Sequence, residues 1–438
     1  MRVAMVTPMT PESAIADVMC QAIPALNEEW DLDVWCPAEP RYRSSAFPVI
    51  PYAAADRETV DALATYDLVV YVLGDSPLHA RILPLARTLP GLVVLHDASM
   101  TNLVRHTAVE TGTLPELVAH VRSTCGPELA DLVERPESGA PTRWLEVCAE
   151  VPLDTYATEN ALGAVVHSRW HADRIDGRLL GDVTVAPLPV PSSRLGMDTD
   201  EGPDPGGLLA DLPDDAVLLV TVGNLNANRH VDVLLRAIAT GPGLARVHLW
   251  AVGASRPDDA ATVNDLAQSL GVAQRFVVTG RVSDASLAEI LRRADAGAAL
   301  RHPVLEGQSA SALTTLLAGV PVVVYDEAHY AELPDDVAVK VDPAAGPDGV
   351  AAGLLRLVAD PAERGAMGER ARAYALDSRS GDAYAAALVE AARLALGRRV
   401  HAHLAADLAA RLLRLGLHDK PVIVERVAEH AFDIYGLA

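Results

Sequence analysis

The stretch LRHPVLEGQSASALTTLLAGVPVVVYD, Leu300 to Asp326, decides how this chain reads. An apolar run ends at Leu300, a polar loop carries Glu306, and Gly307, Ser309, Ala310 and Ser311 leave little side chain over the turn that follows. An apolar helix face comes next, and then a short buried-strand run ending at Tyr325. The first turn of a helix exposes unpaired N–H groups and the positive end of the helix dipole, which suits a phosphate. A carboxylate beside that turn repels phosphate, so Glu306 is expected to accept hydrogen bonds from hydroxyls. A site offering both anion donors and a hydroxyl acceptor suits a sugar nucleotide.

Outward from this stretch, short apolar runs alternate with helical patterns along the chain, the mark of parallel βαβ units. In the first half, strands are expected at Arg2–Thr7, Asp31–Cys36, Tyr66–Gly74, Gly91–Asp97, Leu162–Ser168 and Val183–Leu188. A helix near Ile15–Ile23 follows the first strand, with Ser13 as its N-cap. Ser99–Ala161 reads as a long, mostly helical insertion, interrupted at Arg135–Arg143, and Pro189–Pro213 as an interdomain linker. The second series has strands at Ala216–Gly223, Val247–Gly253, Arg275–Gly280, Ala296–Leu300, Val320–Tyr325 and Val337–Val341. Helices lie between them near Val231–Ala239, Asp259–Ser269, Asp284–Arg292 and Ser309–Ala318. From Gly349 the pattern is helical, and Tyr384–Leu396 is expected to cross back to the first domain.

The expected fold class is therefore α/β, with two doubly wound Rossmann-like domains facing across a cleft and ligands beyond the carboxyl ends of the strands. The boundaries read as 1–192 with the insertion 99–161, then 193–380, then a C-terminal helical extension 381–438.

Composition narrows the function. At 438 residues, half apolar and 22% charged, the chain is a soluble globular type with two domains as the prior. A net charge of −23 argues against nucleic acid as a partner, since a polyanion would be repelled. No apolar run is long enough for a transmembrane segment, and the start lacks the features of a signal peptide. Cys20, Cys36, Cys125 and Cys148 form no CxxC pair and read as reduced thiols of a cytoplasmic protein. Lysine occurs only at 340 and 420, so arginine carries nearly all the positive charge.

The second domain opens with VTVGNLNANRHVDVLLRAIA, Val220 to Ala239. A buried strand ends at Gly223, a polar loop follows, and Arg229 stands at a helix start. A cation there is unfavourable for the helix alone, so Arg229 asks for an anion, and its fork matches two phosphate oxygens.

These segments, in this order, resemble retaining glycosyltransferases of family 4, which have the GT-B fold. The family's G-R-x4-K element reads here as Gly223, Asn224 and then Arg229. Its E-x7-E element matches at Glu306, while the second glutamate falls on Thr314. PESAIADVMCQAIPAL resembles the family's first loop and helix, with Ala14 where glycine is common. Further matches are Leu73–His79, Val94–Asp97, Val165–Ser168, Val278–Asp284 and Tyr330–Asp336, and the resemblance covers roughly residues 1–395.

The resemblance implies roles for particular positions. Arg229 and Asn224 would hold the donor diphosphate with Gly223 at the strand end, and Glu306 would accept bonds from the sugar hydroxyls. Backbone N–H groups of Gly307, Gln308, Ser309 and Ala310 would approach sugar and phosphate, and the Arg281 region would line the nucleobase pocket. Thr314, shorter and uncharged, puts ribose recognition at that position in question. His96, paired with Asp97, would face the reacting carbon and the acceptor, and together with Arg229 and Glu306 it makes up the expected catalytic set. Ser13, Ala14, Asp17 and His79 complete the acceptor side, although Asp17 is equally accounted for by the helix dipole. Glu332 matches a glutamate after the strand that follows the E-x7-E helix.

The expected reaction moves a sugar from a UDP- or GDP-linked donor to a small-molecule acceptor, with retention, by front-face substitution. No metal and no separate cofactor are expected. A sugar-nucleotide epimerase and a catalytically silent sugar-nucleotide-binding subunit are the competing readings, and the oligomeric state is open, a homodimer included. Asp31-Leu32-Asp33 and Asp198-Thr199-Asp200 resemble metal-binding DxD motifs but stand at the wrong strand end and in the linker. Arg398 and Arg399 read as a solvated turn.

Overall fold

The computed structural model describes residues 1–11, 13–39, 41–42, 47–138, 141–179, 181–190, 209–377, 379–417, 420, 422–424 and 426–427. Of residues 138, 141 and 403 and 406, it describes the backbone only. The first sheet holds β1 (Arg2–Val6), β2 (Asp31–Pro37), β3 (Val49–Tyr52), β4 (Leu68–Leu73), β5 (Gly91–Leu95), β6 (Ala161–Val166) and β7 (Val183–Val185), in spatial order β3-β2-β1-β4-β5-β6-β7. The second holds β8 (Val217–Val222), β9 (Val247–Val252), β10 (Phe276–Gly280), β11 (Ala296–Ala299), β12 (Val322–Tyr325) and β13 (Ala338–Val341), in order β10-β9-β8-β11-β12-β13. All pairings between these strands are parallel. Two doubly wound parallel sheets with flanking helices are thus the architecture that the alternating pattern predicts. Strand order reverses between β1 and β4 and again between β8 and β11, which puts a ligand crevice at the carboxyl ends of each pair.

Parallel strands covered on both faces must be apolar throughout, and β4, β5 and β6 are buried at every residue. Alternate residues feed opposite layers. Val70, Val72, Val94 and Val165 pack on Ile23 and Leu26 of the helix Ala14–Glu29, and on Leu388 and Ala392 of the helix Gly381–Arg414. Val69, Tyr71 and Val93 pack on Leu103, Leu117 and Val121 of the insertion helices Thr101–Thr111 and Leu114–Thr124. Each such buried aliphatic side chain contributes roughly 1.5–3 kcal/mol.

Several elements depart from expectation. β3 is absent from the pattern reading because it is four residues long and contains Pro51, which a sheet tolerates only at an edge. The Ile15–Ile23 helix runs on to Glu29 through Pro24, where burial of Ala22, Ile23 and Leu26 outweighs one missing N–H. The Val183–Leu188 strand ends at Val185. Tyr384–Leu396 lies in the first half of a helix of 34 residues, Gly381–Arg414. Arg398 and Arg399 are not a solvated turn: that helix carries Arg398 to 3.3 Å from Asp182, and Arg399 Nη1 donates to the Asp67 carbonyl at 2.9 Å. Asp33 stands on β2, where its Oδ2 accepts from Tyr66 Oη at 2.6 Å and Arg2 Nη2 at 3.3 Å. Asp198-Thr199-Asp200 and most of the expected linker lie outside the described residues.

Candidate functional site

At the second switch point, β8 ends at Val222 and the chain turns at Gly223, whose φ is +116°. A Cβ at Gly223 would lie 1.9 Å from Arg229 Nη2, so only glycine lets the guanidinium cross the strand end. Arg229 Nε donates to the Asn224 carbonyl at 2.6 Å and Nη1 to the Val222 carbonyl at 2.5 Å. The side chain is buried on a one-turn 3₁₀ segment, Ala227–Arg229, and the α-helix begins only at Val231, after His230 in a left-handed conformation. Arg229 thus precedes the helix rather than opening it. Burial first, and then the charge of Arg301, pull its guanidinium down to about 9, still cationic at neutral pH.

Across the crevice, β11 runs into the loop that carries Arg301 and Glu306. Arg301 Nε stands 3.3 Å from Glu306 Oε1, and Tyr330 Oη donates to the same oxygen at 3.0 Å. His329 Nε2 is 3.9 Å away. Burial alone would raise the Glu306 pKa, but Arg301, His329 and Tyr330 outweigh it and hold the carboxyl well below the usual range. Arg301 Nη1 also donates to Asn228 Oδ1 at 2.7 Å, which ties the Glu306 loop to the loop that carries Arg229.

The loop after β11 also closes against the first lobe. Gly307 N donates to the His96 carbonyl at 2.9 Å, and Ala98 N and Ser99 N donate to the Leu305 carbonyl at 2.8 and 3.1 Å. Asp97 and Glu306 form an antiparallel bridge. A Cβ at Gly307 would meet His171 Nδ1 at 2.8 Å and the His96 carbonyl at 3.0 Å, so this close approach needs glycine. Glu332 caps the first-lobe helix Arg169–Ile175, accepting from Trp170 N at 2.6 Å and Arg169 N at 3.2 Å.

His96 lies at the end of β5 with its protonation pattern dictated by neighbours. His167 Nδ1 contacts the Ala186 carbonyl at 2.9 Å, and a carbonyl only accepts, so that nitrogen carries the proton. Burial holds His167 down to about 4, so it is neutral and its Nε2 is the acceptor for His96 Nδ1, 3.0 Å away. Burial, then His167 and His79, also keep His96 neutral, which leaves its Nε2 as a buried acceptor with no hydrogen-bond partner among the described residues. Such a nitrogen suits a hydroxyl proton. Beside it, burial and then the Asp75 charge push Asp97 up to about 7, and burial pushes Asp75 to about 6. Asp75 accepts from Leu103 N and Asn102 Nδ2, both at 2.7 Å, and Trp144 Nε1 donates to Asn102 Oδ1 at 2.9 Å, which ties the insertion to the cleft.

The remaining expected residues divide. Ser309 caps the helix Ala310–Leu317 through Ala312 N, and that helix points its N-terminus at the crevice. Thr314 donates its hydroxyl proton to the Ala310 carbonyl at 2.8 Å and is buried, so it offers no free donor and no carboxylate pair of oxygens. Gln308 Oε1 accepts from Leu188 N at 2.9 Å and Arg379 Nη1 at 2.6 Å, which occupies it at the junction of the lobes. Arg281 is exposed just past β10, and the Asn224 side chain is exposed. Ser13 caps the first helix through Ala16 N, with Ala14 as its first residue and Asp17 in its first turn. His79 is buried and bonds the Val72 carbonyl through Nδ1 at 2.9 Å. Arg301, Tyr330, His167 and His171 escaped sequence reasoning. An arginine directly after a buried strand beside the switch point was the one signal available for Arg301.

Among the described residues, no group of three His, Cys, Asp or Glu side chains is arranged to hold a metal, and no helix is long and apolar enough to cross a membrane. Residues 216–360 match the family described as Glycosyl transferases group 1. A search of curated proteins by sequence found no match. Among solved structures, a sucrose-phosphate synthase from Thermosynechococcus elongatus is 18% identical, with a TM-score of 0.59 over 92% of this chain and 99% of that one. HepE from Anabaena, in complex with UDP, is 14% identical with a TM-score of 0.60, covering 89% of this chain and 99% of its own. A glycosyltransferase involved in avilamycin A biosynthesis is 16% identical with a TM-score of 0.52, over 90% and 98% of the two chains. The match over residues 216–360 and the two-lobed GT-B fold of the described chain together support a glycosyltransferase.

Proposed function

We infer that the chain is a retaining glycosyltransferase of the family 4 type, moving a sugar from a UDP- or GDP-linked donor to a small-molecule acceptor. The observation that carries this reading is that Arg301 links the two expected residues at the β8/β11 switch point: it stands 3.3 Å from Glu306 and donates at 2.7 Å to Asn228, the neighbour of Arg229, beside the N-terminus of the helix Ala310–Leu317. Arg229 and the helix N–H groups neutralise the departing diphosphate, and Glu306 takes the sugar hydroxyls. The acceptor hydroxyl forms its bond to the anomeric carbon on the face that the diphosphate leaves. The carbon–oxygen bond to the β-phosphate breaks, and the acceptor's proton passes to the departing phosphate oxygen. His96 Nε2, a bare acceptor in the seam, orients a hydroxyl there. Closure of the lobes keeps water from the donor. No metal and no separate cofactor enter this scheme, since arginine and the helix N-terminus carry the charge neutralisation.

The match to a group 1 domain and the likeness to a UDP complex support the nucleotide-sugar part. Four free cysteines support a reducing, cytoplasmic setting. Thr314 motivates a second reading, a nucleotide-sugar-binding subunit without transfer, because a short uncharged side chain whose proton is committed to Ala310 stands where the family's second glutamate would. Thermal-shift measurements with UDP and GDP test the main reading: one of them at 100 times its Kd stabilises the fold by about 2.7 kcal/mol. No shift with either nucleotide removes it. Donor binding without transfer to any acceptor in a broad panel favours the second reading.

A further inference from the structure

Arg301 emerges from β11 directly beside the end of β8, where Arg229 lies. Its Nη1 donates to Asn228 Oδ1 at 2.7 Å, and Asn228 Nδ2 donates to the Pro303 carbonyl at 3.0 Å, so the two arginine-bearing loops are tied together. Its Nε faces Glu306 Oε1 at 3.3 Å without forming a hydrogen bond, and only 18% of the side chain is exposed. The Arg301 charge disfavours the Arg229 cation, and both guanidiniums look to the one Glu306 carboxylate, which stands 3.3 Å from Arg301 Nε. Asp97 is the next nearest acid, but its Oδ2 accepts from Asp75 N at 2.7 Å, and its carboxyl titrates near neutrality, at about 7. The cluster holds more positive than negative charge in a place where an uncompensated ion costs several kcal/mol. The missing partner is an anion in the crevice itself, and two guanidinium charges at adjacent strand ends, Arg229 already anchored to the Asn224 and Val222 carbonyls, suit two linked phosphates.

We propose that Arg301 is the second cation of the diphosphate site and works by exchange, leaving Glu306 for the phosphate oxygens when a nucleoside diphosphate enters. This rests on the sugar-nucleotide reading of the site. Glu306 is held by Arg301 and Tyr330 before the donor arrives, and is released toward the sugar hydroxyls once the diphosphate takes the guanidinium. Diphosphate and Glu306 thus compete for one cation, and sugar recognition is switched on by phosphate binding. No covalent step is involved.

The test is calorimetric titration of the full-length chain with UDP, and with uridine as the phosphate-free control. Loss of a charge-assisted hydrogen bond makes Arg301→Gln weaken UDP by at least about tenfold, with uridine changed by less than about twofold. Glu306→Gln removes the competitor and tightens UDP by roughly three- to tenfold, whereas in the Arg301→Gln background it changes UDP by less than about twofold. Equal UDP affinity in Arg301→Gln and the parent overturns the inference, as does weaker UDP binding in Glu306→Gln. Should Arg301→Gln fail to fold by circular dichroism, Glu306→Gln alone decides: tighter UDP supports the exchange, and unchanged or weaker UDP overturns it. A parent chain that binds neither UDP nor GDP removes the site reading as well. A parent that binds UDP, with Arg301→Gln unaltered, removes only the role of Arg301.

Discussion

Gly307→Ala isolates lobe closure from nucleotide binding. The backbone at Gly307 lies outside the left-handed region, so alanine meets no backbone strain and the effect is steric. Its Cβ would sit 2.8 Å from His171 Nδ1 and 3.0 Å from the His96 carbonyl, both in the first lobe. Carbon contacts settle near about 3.5 Å, so the loop must lift by roughly half an ångström. Lifting strains the bond from Gly307 N to the His96 carbonyl, 2.9 Å long in the closed seam. Overpacking costs about 1–3 kcal/mol and a lost hydrogen bond about 0.5–1.5 kcal/mol net. A penalty of about 2 kcal/mol on the closed state shifts the closure equilibrium by roughly 30-fold. None of the strained contacts involves Arg229, Arg301 or the helix Ala310–Leu317 directly. Sugar transfer, followed by release of nucleoside diphosphate, should fall by about tenfold or more, while UDP affinity stays within about twofold of the parent. Turnover within twofold of the parent refutes the reasoning, and so does a loss of UDP affinity equal to the loss of turnover.

Arg229→Met keeps the aliphatic stem and removes the fork. UDP affinity measured by calorimetry should drop by roughly 10- to 100-fold, more than any change produced by substituting the exposed Arg281. Glu332→Ala uncaps the helix Arg169–Ile175 from across the seam and should cost about 0.5–2 kcal/mol, read as a lower midpoint in urea with an unchanged m-value. The pH dependence of stability follows from buried groups. Burial depresses six histidines, among them His79 and His167 to about 4, His171 to about 3 and His96 well down, with His230 and His248 also lowered, so the unfolded chain binds their protons better below 6.5. Burial raises three carboxyls, Asp75 to about 6, Asp97 to about 7 and Asp154, and these bind protons better when folded. Six outweigh three, so stability should rise as pH goes from about 4 to 6.5, and His171→Gln should flatten that rise in thermal melts.

Much of the site was legible in the residues because its parts announce themselves locally. Gly223 ends an apolar run, Arg229 follows in a polar loop, and Glu306 and Gly307 precede small residues that open a helix. The strands were readable because parallel strands buried on both faces must be apolar along their length, and helices between them keep a 3.6-residue period. β3 was not, since four residues around a proline leave no period to read. Gln308 was expected near the donor by its place in the motif, yet it bonds Leu188 and Arg379, contacts that only packing of the helices after the second sheet can supply. Thr314 is a visible departure in sequence, but that its hydroxyl turns back to Ala310 depends on its burial.

Composition, periodicity and the chemistry at strand ends determined by themselves the class of fold, the two-lobed plan and the pairing of an arginine with a glutamate as the site to look for. Tertiary structure alone decided which groups surround that pair. The loops that carry residues 229 and 301 are joined through Asn228 because strand order sets β11 beside β8, and the pairing of His96 with His167 arises because β6 lies beside β5. Those neighbours are separated by 71 or more positions along the chain, where no local period reaches. Strand order is settled by how whole layers bury their apolar faces, a global balance of surface area that no single stretch encodes.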